Sequence, residues 1–203
     1  GLTDCRRKTR MNRVAVIGAG LCGAATAATL VQSGYDVTVF DKGRAVGGRM
    51  SSKRTAAGYL DMGAQYFTAR GPKFQSQVHS WLESGCAEVW NCTTALLTFG
   101  EGRSAVEISA DQQLRYIGTS SMQAPVKALL SDIPIVLNCP INCLQRRRNS
   151  WSVFSEDGKS YADFSAVLLT MPPVQAQQLL VRSGLPELFN VEHSLLEPCW
   201  AVA

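Results

Sequence analysis

The feature that most constrains the fold is a glycine motif placed between an apolar run and a stretch of small residues. The apolar run Val14-Ala15-Val16-Ile17 leads directly into Gly18-Ala19-Gly20-Leu21-Cys22-Gly23. Residues 24–31 are small or apolar and predict a helix, and residues 37–40 predict a second strand that ends at Asp41. Strand, glycine turn, helix, strand and acid follow one another as they do in a dinucleotide-binding unit.

Each glycine of this motif has a physical reason to be there. Gly18 permits the tight turn out of the strand, and Gly20 lacks a Cβ, so a pyrophosphate can approach the backbone. Gly23 lets the helix pack closely against the sheet. The helix N-terminus offers free N–H groups and the positive end of the helix dipole, so the amides around Leu21 and Cys22 are candidate phosphate donors.

Asp41 is the candidate ribose ligand. It follows Gly23 by 18 residues, close to the spacing of about 20 that is typical of this fingerprint. A carboxylate at the end of the second strand can accept hydrogen bonds from ribose hydroxyls.

A secretory signal or a membrane span is the alternative interpretation of this region, because residues 14–31 carry no charge and follow the basic stretch 6–10. Three glycines in six positions would weaken one continuous apolar helix. Leu21, Ala24, Ala25 and Ala28 also keep the spacing of a helix with one buried face. The sequence therefore favours a strand followed by a helix, and we expect no membrane segment.

Composition is that of an ordinary globular protein. The chain has 203 residues, of which 46% are hydrophobic and 18% charged, enough for one large domain or parts of two. The net charge of +4 is concentrated partly in residues 6–13 and in Arg146–Arg148. Neither cluster is interleaved with aromatics, so we expect no nucleic-acid partner. Residues 1–10 are predicted to be a disordered leader, with Met11 as a candidate start.

The cysteines do not suggest a metal site or a disulfide framework. The chain has seven cysteines and no Cys-x-x-Cys motif, and no histidine lies near Cys139 and Cys143. We expect free thiols in a reducing, cytoplasmic environment and no structural metal.

Two further stretches are candidate ligand contacts. Gly47-Gly48-Arg49 lies six residues past Asp41, and its glycines would allow a close backbone approach while the guanidinium holds phosphate oxygens. In residues 57–67, small residues stand beside Gln65, Tyr66 and Phe67. Such a stretch suits a flat ring lying against the backbone, or equally a turn that enters a core strand.

The rest of the chain predicts an interrupted domain. Apolar spacing indicates a helix over 72–84 and a short helix over 122–130, without a parallel strand–helix rhythm between them. A three-stranded meander over 141–164 follows, then a strand over 166–170 and a helix over 174–182. We therefore divide the chain into 1–10 (leader), 11–70 and 131–182 (dinucleotide-binding domain), 71–130 (inserted substrate or cap domain) and 183–203 (start of a second substrate-domain segment).

These motifs resemble flavin-dependent oxidoreductases of the renalase and flavin amine oxidase group, and within it bacterial renalase-like proteins. The likeness rests on residues 14–20, 40–42, 47–50, 61–67, 116–118, Met122, Trp151 and 169–172. It implies an α/β fold with a Rossmann-type, glutathione-reductase-like FAD-binding domain, a parallel sheet and an inserted α+β substrate or cap domain.

The resemblance implies FAD as the cofactor and assigns residues to its parts. The implied contacts are Gly18, Gly20, Cys22, Gly23, Gly48 and Arg49 around the pyrophosphate, Asp41 on the adenosine ribose, Ile141 facing the adenine, and Gln65 and Tyr66 near the isoalloxazine.

The implied reaction is hydride transfer from dihydro isomers of NAD(P)H to FAD, with reoxidation by oxygen to hydrogen peroxide. The substrate is thus a small molecule, and no catalytic acid or base is assigned. A flavin-containing amine oxidase and a non-catalytic flavin- or nucleotide-binding fragment are the alternatives. Members of the group are longer, so the chain is expected to be an N-terminal fragment that lacks the C-terminal part and binds FAD poorly by itself.

Overall fold

The computed structural model describes residues 12–100, 103–109 and 111–190. The predicted leader and the chain beyond residue 190 lie outside these ranges. The strands are β1 (Arg13–Ile17), β2 (Asp36–Phe40), β3 (Ser52–Thr55), β4 (Gly58–Asp61), β5 (Ala87–Val89), β6 (Ala95–Gly100), β7 (Arg103–Ile108), β8 (Tyr116–Gly118), β9 (Ile135–Val136), β10 (Ile141–Arg147), β11 (Ser150–Ser155), β12 (Ser160–Phe164) and β13 (Ala166–Leu169). The helices are α1 (Leu21–Gln32), α2 (Pro72–Glu83), α3 (Ala124–Leu129) and α4 (Pro173–Arg182), with 3-10 turns at Gly48–Met50 and Pro186–Leu188.

The central element is a four-stranded sheet in the order β13-β1-β2-β9. All of its pairings are parallel, with Val14 opposite both Val37 and Ala166. This parallel sheet confirms the predicted Rossmann-type α/β fold, because parallel strands require crossover connections that cover the sheet.

The two faces of this sheet have separate cores, since alternate residues of a strand point to opposite sides. Val14 and Val16 lie in a buried cluster with α1 and α3, while Ala15 and Ile17 lie in a second cluster with the β10–β12 meander and α4. β13, predicted as a strand over 166–170, is half-buried and ends one side of the sheet among the described residues. Within those ranges it pairs with β1 alone.

Residues between β4 and α3 build a smaller unit beside the sheet. Phe67, Phe74 and Trp81 meet edge to face or tilted, with ring centroids about 6 Å apart, and Phe67 stacks on Tyr116 at 5.7 Å. β5 pairs with β8, and β6 with β7, both antiparallel.

Within the predicted insert, however, α3 packs on α1 in the core of the sheet domain, through Val126 among others. The boundaries of the insert stay a prediction.

None of the helices in the described ranges is long and apolar enough to cross a membrane.

Candidate functional site: a cleft at the carboxyl end of the parallel sheet

A cavity of about 770 Å³ opens where the parallel strands end. Its floor is the glycine turn after β1, and its walls come from the end of β2, the 3-10 turn at Gly48–Met50, the start of β10 and one side of α4. A crevice at the carboxyl ends of the strands is where open α/β sheets bind ligands.

The glycine turn is held open towards this cavity. Gly18 has φ +115°, which favours glycine. Gly20 precedes α1 and offers no capping side chain, so no side chain occupies the free N–H groups of the first helical turn. A Cβ added to Gly23 would lie 1.9 Å from the carbonyl oxygen of Gly18, so only glycine permits this approach of helix and strand.

A second glycine turn lies against the first. The N–H of Gly47 donates to the carbonyl oxygen of Ala19 at 2.9 Å, and Gly47 forms a parallel bridge with Gly20. A Cβ on Gly48 would stand 3.1 Å from the Cα of Gly20. This contact brings Arg49, an exposed residue, to the cavity next to the N-terminus of α1.

Asp41 organises the end of β2. Its Oδ2 accepts a hydrogen bond from the N–H of Ala19, and its Oδ1 accepts one from the N–H of Gly43, both at 2.6 Å. An ionised carboxylate can accept about four hydrogen bonds, so each oxygen keeps capacity for a ribose hydroxyl. The carboxylate therefore lines the cavity and fixes the glycine turn at the same time.

The structure brings most of the predicted cofactor contacts together. Gly18, Gly20, Cys22, Asp41, Gly48, Arg49 and Ile141 all line the cavity. Gly23 packs behind the turn, and Gln65 and Tyr66 lie outside the cavity lining. Sequence reasoning assigned no role to Thr170 or to the side of α4 formed by Gln175, Gln178 and Arg182, which also line it. The i, i+3, i+7 spacing of those three residues is the signal that could have found them.

Gln65 and Tyr66 lie on a loop that is hydrogen-bonded to the 3-10 turn at Gly48–Met50. The N–H of Ala64 donates to the carbonyl oxygen of Arg49 at 2.8 Å. The Tyr66 ring lies 5.6 Å from the Trp90 ring and 5.4 Å from the guanidinium of Arg115. Arg115 donates a hydrogen bond to Asp111 at 2.6 Å, and this bond raises the pKa of the guanidinium.

The residues present fit the adenosine diphosphate part of a dinucleotide. The cavity combines the exposed backbone of the glycine turn, the carboxylate of Asp41, the guanidinium of Arg49 and apolar walls that include Phe40 and Ile141. Lys42 and Arg182 add positive charge that suits a diphosphate, against one further carboxylate, Glu156. The described residues contain no group of three or more His, Cys, Asp or Glu side chains that could hold a metal ion.

Comparison with known proteins agrees with this architecture. Residues 16–81, about a third of the chain, match the family model described as "NAD(P)-binding Rossmann-like domain". The chain is 36% identical over 76 residues to 4,4'-diapophytoene desaturase (4,4'-diaponeurosporene-forming) of Staphylococcus aureus strain Newman, covering 32% of this chain and 15% of the desaturase. The desaturase of strain MRSA252 is 45% identical over 51 residues, which cover 25% of this chain and 10% of the desaturase.

The fold is shared over a longer range. A crystal structure described as a candidate protoporphyrinogen oxidase of Exiguobacterium sp. 255-15 superimposes with a TM-score of 0.67 and 14% identity, over 87% of this chain and 63% of that one. The chain thus spans less than two thirds of each of these proteins. The comparisons therefore support an α/β fold in which residues 16–81 resemble a NAD(P)-binding Rossmann-like domain.

Proposed function

We propose that the chain is the dinucleotide-binding part of an FAD-dependent oxidoreductase, and that the cleft holds the adenosine diphosphate end of FAD. One observation carries this proposal: the glycine turn, Asp41 and Arg49 come from separate stretches of sequence and line one cavity. The resemblance of the same stretches to flavin oxidoreductases supports FAD as the dinucleotide.

The residues of the chain would bind and orient the cofactor. The free N–H groups at the start of α1 and the guanidinium of Arg49 would hold the diphosphate, and Asp41 would accept from the ribose. The Ile141 segment would cover the adenine. Bound FAD supplies the hydride-accepting chemistry, for which side chains alone have no equivalent.

Gln65 and Tyr66 are proposed to lie beside the isoalloxazine. Their loop is hydrogen-bonded to the backbone of Arg49, so it is fixed relative to the proposed diphosphate site. Tyr66 keeps 43% of its surface exposed, which leaves one side of the ring available for a ligand.

For the substrate, we propose a dihydro isomer of NAD(P)H that gives a hydride to the flavin, with oxygen as the final acceptor. The motif resemblance to renalase-like proteins supports this choice. The relatives are named as a desaturase and an oxidase, names that denote removal of hydrogen, which agrees with a hydride-accepting site.

Cofactor binding is tested by titrating this chain with FAD, ADP and FMN in a calorimeter. ADP should bind, and FAD should bind with an affinity no higher than that of ADP, because both carry the adenosine diphosphate and the flavin end is expected to add little in this chain. FMN, which lacks the adenosine, should bind much more weakly. Equal affinity for FMN and FAD, or no binding of ADP, would contradict the proposed site.

The reaction is tested anaerobically on the full-length protein loaded with FAD, by following the loss of flavin absorbance. Dihydro isomers of NAD(P)H should bleach the flavin within seconds, and a primary amine should not. Rapid bleaching by the amine alone would favour the amine oxidase, and rapid bleaching by protoporphyrinogen alone would favour an activity like that named for the structural neighbour.

A further inference from the structure

Thr170 lies directly after β13 and ties that strand to the glycine turn. Its hydroxyl donates within hydrogen-bond distance of two carbonyl oxygens, that of Ile17 at 3.0 Å and that of Gly18 at 3.1 Å. Its backbone N–H also donates to the carbonyl oxygen of Ile17 at 3.0 Å. A three-centre hydrogen bond of this kind fixes the direction of both carbonyls at the exit of β1.

The same hydroxyl occupies the space left by two glycines. A Cβ on Gly18 would stand 2.7 Å from the Thr170 Oγ1, and a Cβ on Gly23 would stand 2.8 Å from it. The glycine turn and the first turn of α1 therefore both pack against this oxygen. A change in its position would move the backbone of both segments.

We propose that Thr170 is a positioning residue, whose hydroxyl sets the geometry of the backbone amides that face the cofactor phosphates. This inference rests on the proposed dinucleotide site for its ligand, but the effect on the turn is a property of the chain itself. Thr170 also lines the cavity, so the residue stands between the sheet edge and the proposed diphosphate position.

Valine is the informative replacement because it keeps the shape of threonine and lacks the hydroxyl. In Thr170→Val a methyl would stand about 3.0 Å from two carbonyl oxygens, closer than the roughly 3.3–3.6 Å of ordinary C···O contacts. The turn must move away from β13, and both carbonyls lose the hydroxyl donor, while the carbonyl of Ile17 keeps its bond from the backbone N–H of residue 170. Thr170→Ser keeps the hydroxyl and removes only the methyl.

Ser165 provides a matched control on the same pair of strands. Its hydroxyl donates to the carbonyl oxygen of Arg13 at 2.8 Å, at the opposite end of β1. Ser165→Ala thus removes a side-chain hydrogen bond between the same two chain segments without touching the glycine turn.

The experiment compares the wild-type chain with Thr170→Val, Thr170→Ser and Ser165→Ala by hydrogen–deuterium exchange without ligand and by ADP titration. Thr170→Val should raise exchange over residues 18–23 and weaken ADP binding about twofold to tenfold, the range expected for one neutral hydrogen bond. Thr170→Ser should restore both, and Ser165→Ala should leave both unchanged even if its melting temperature falls.

Unchanged exchange over residues 18–23 in Thr170→Val would overturn the inference, as would equal changes in Ser165→Ala. Should the wild-type chain fail to bind ADP, the proposed function is contradicted, and the inference on the turn is then decided by the exchange measurement alone.

Discussion

Asp41 has two structural partners in addition to its proposed ligand, the N–H groups of Ala19 and Gly43. Asp41→Ala removes the carboxylate that is proposed to accept from the ribose. It should weaken ADP and FAD binding about tenfold to a hundredfold, the range for a hydrogen bond to a charged group. Calorimetric titration measures this, with Asp36→Ala as the control, because Asp36 is exposed and pairs only with Arg13 among the described residues. Equal affinity in wild type and Asp41→Ala would refute the assignment.

A second residue-scale prediction concerns the turn between β11 and β12. The Lys159 ammonium, 2.6 Å away, and the hydroxyl of Ser155 lower the pKa of Asp157 from 3.8 to about 2. Because the folded state favours the ionised carboxylate, this contribution to stability is present above pH 3.8 and is lost as the pH falls through about 2. NMR titration of the carboxyl should show a midpoint near pH 2, which Lys159→Met should raise. An unchanged midpoint in that variant would show that the ammonium has no role.

At the scale of elements, the packing of α1 on β1 depends on a single position. Gly23→Ala would favour the helix by up to about 1 kcal/mol from propensity alone. Its Cβ, however, would stand 1.9 Å from the carbonyl oxygen of Gly18, and such overpacking costs about 1–3 kcal/mol. The clash should win, so we expect a lower free energy of unfolding and weaker ADP binding.

Gly71→Ala is the control for that variant. Gly71 precedes α2 with φ −84°, and a Cβ there meets nothing within 4 Å. Chemical denaturation should find its stability close to that of the wild type. A Gly23→Ala chain as stable as Gly71→Ala would mean that helix and strand are not packed as described.

For the whole molecule, thiol reactivity reports both the fold and the site. No disulfide joins the five cysteines that the structure describes, which are Cys22, Cys86, Cys92, Cys139 and Cys143. Cys22 and Cys92 are exposed, whereas Cys139 is buried. Alkylation followed by site-resolved mass spectrometry should modify the two exposed thiols quickly in the native chain, and Cys139 only on unfolding.

Ligand protection extends this measurement to the cavity. Cys22 lines the cavity in the first turn of α1, and Cys92 does not. Saturating ADP should therefore slow the alkylation of Cys22 and leave Cys92 unaffected. Equal protection of both thiols, or none of Cys22, would place the ligand elsewhere.

The sequence by itself determined the local elements. The run from β1 through α1 to β2 was predictable because apolar spacing and glycine positions act over a few residues. α2, α4 and the outer limits of the β10–β12 meander were predicted within one or two residues for the same reason, whereas β10 extends to Arg147. The parallel sheet also followed, since two short apolar strands separated by a helix need a crossover.

Only the tertiary structure decided which distant residues meet. Thr170 reaches the carbonyl of Gly18 across 152 positions, and one side of α4 closes the cleft, because strand pairing and the burial of both sheet faces are long-range events. The same events pair β13 with β1 and pack α3 on α1. Periodicity in a sequence shows that a face is buried, but it does not show against what, since the partner is chosen by the fold as a whole.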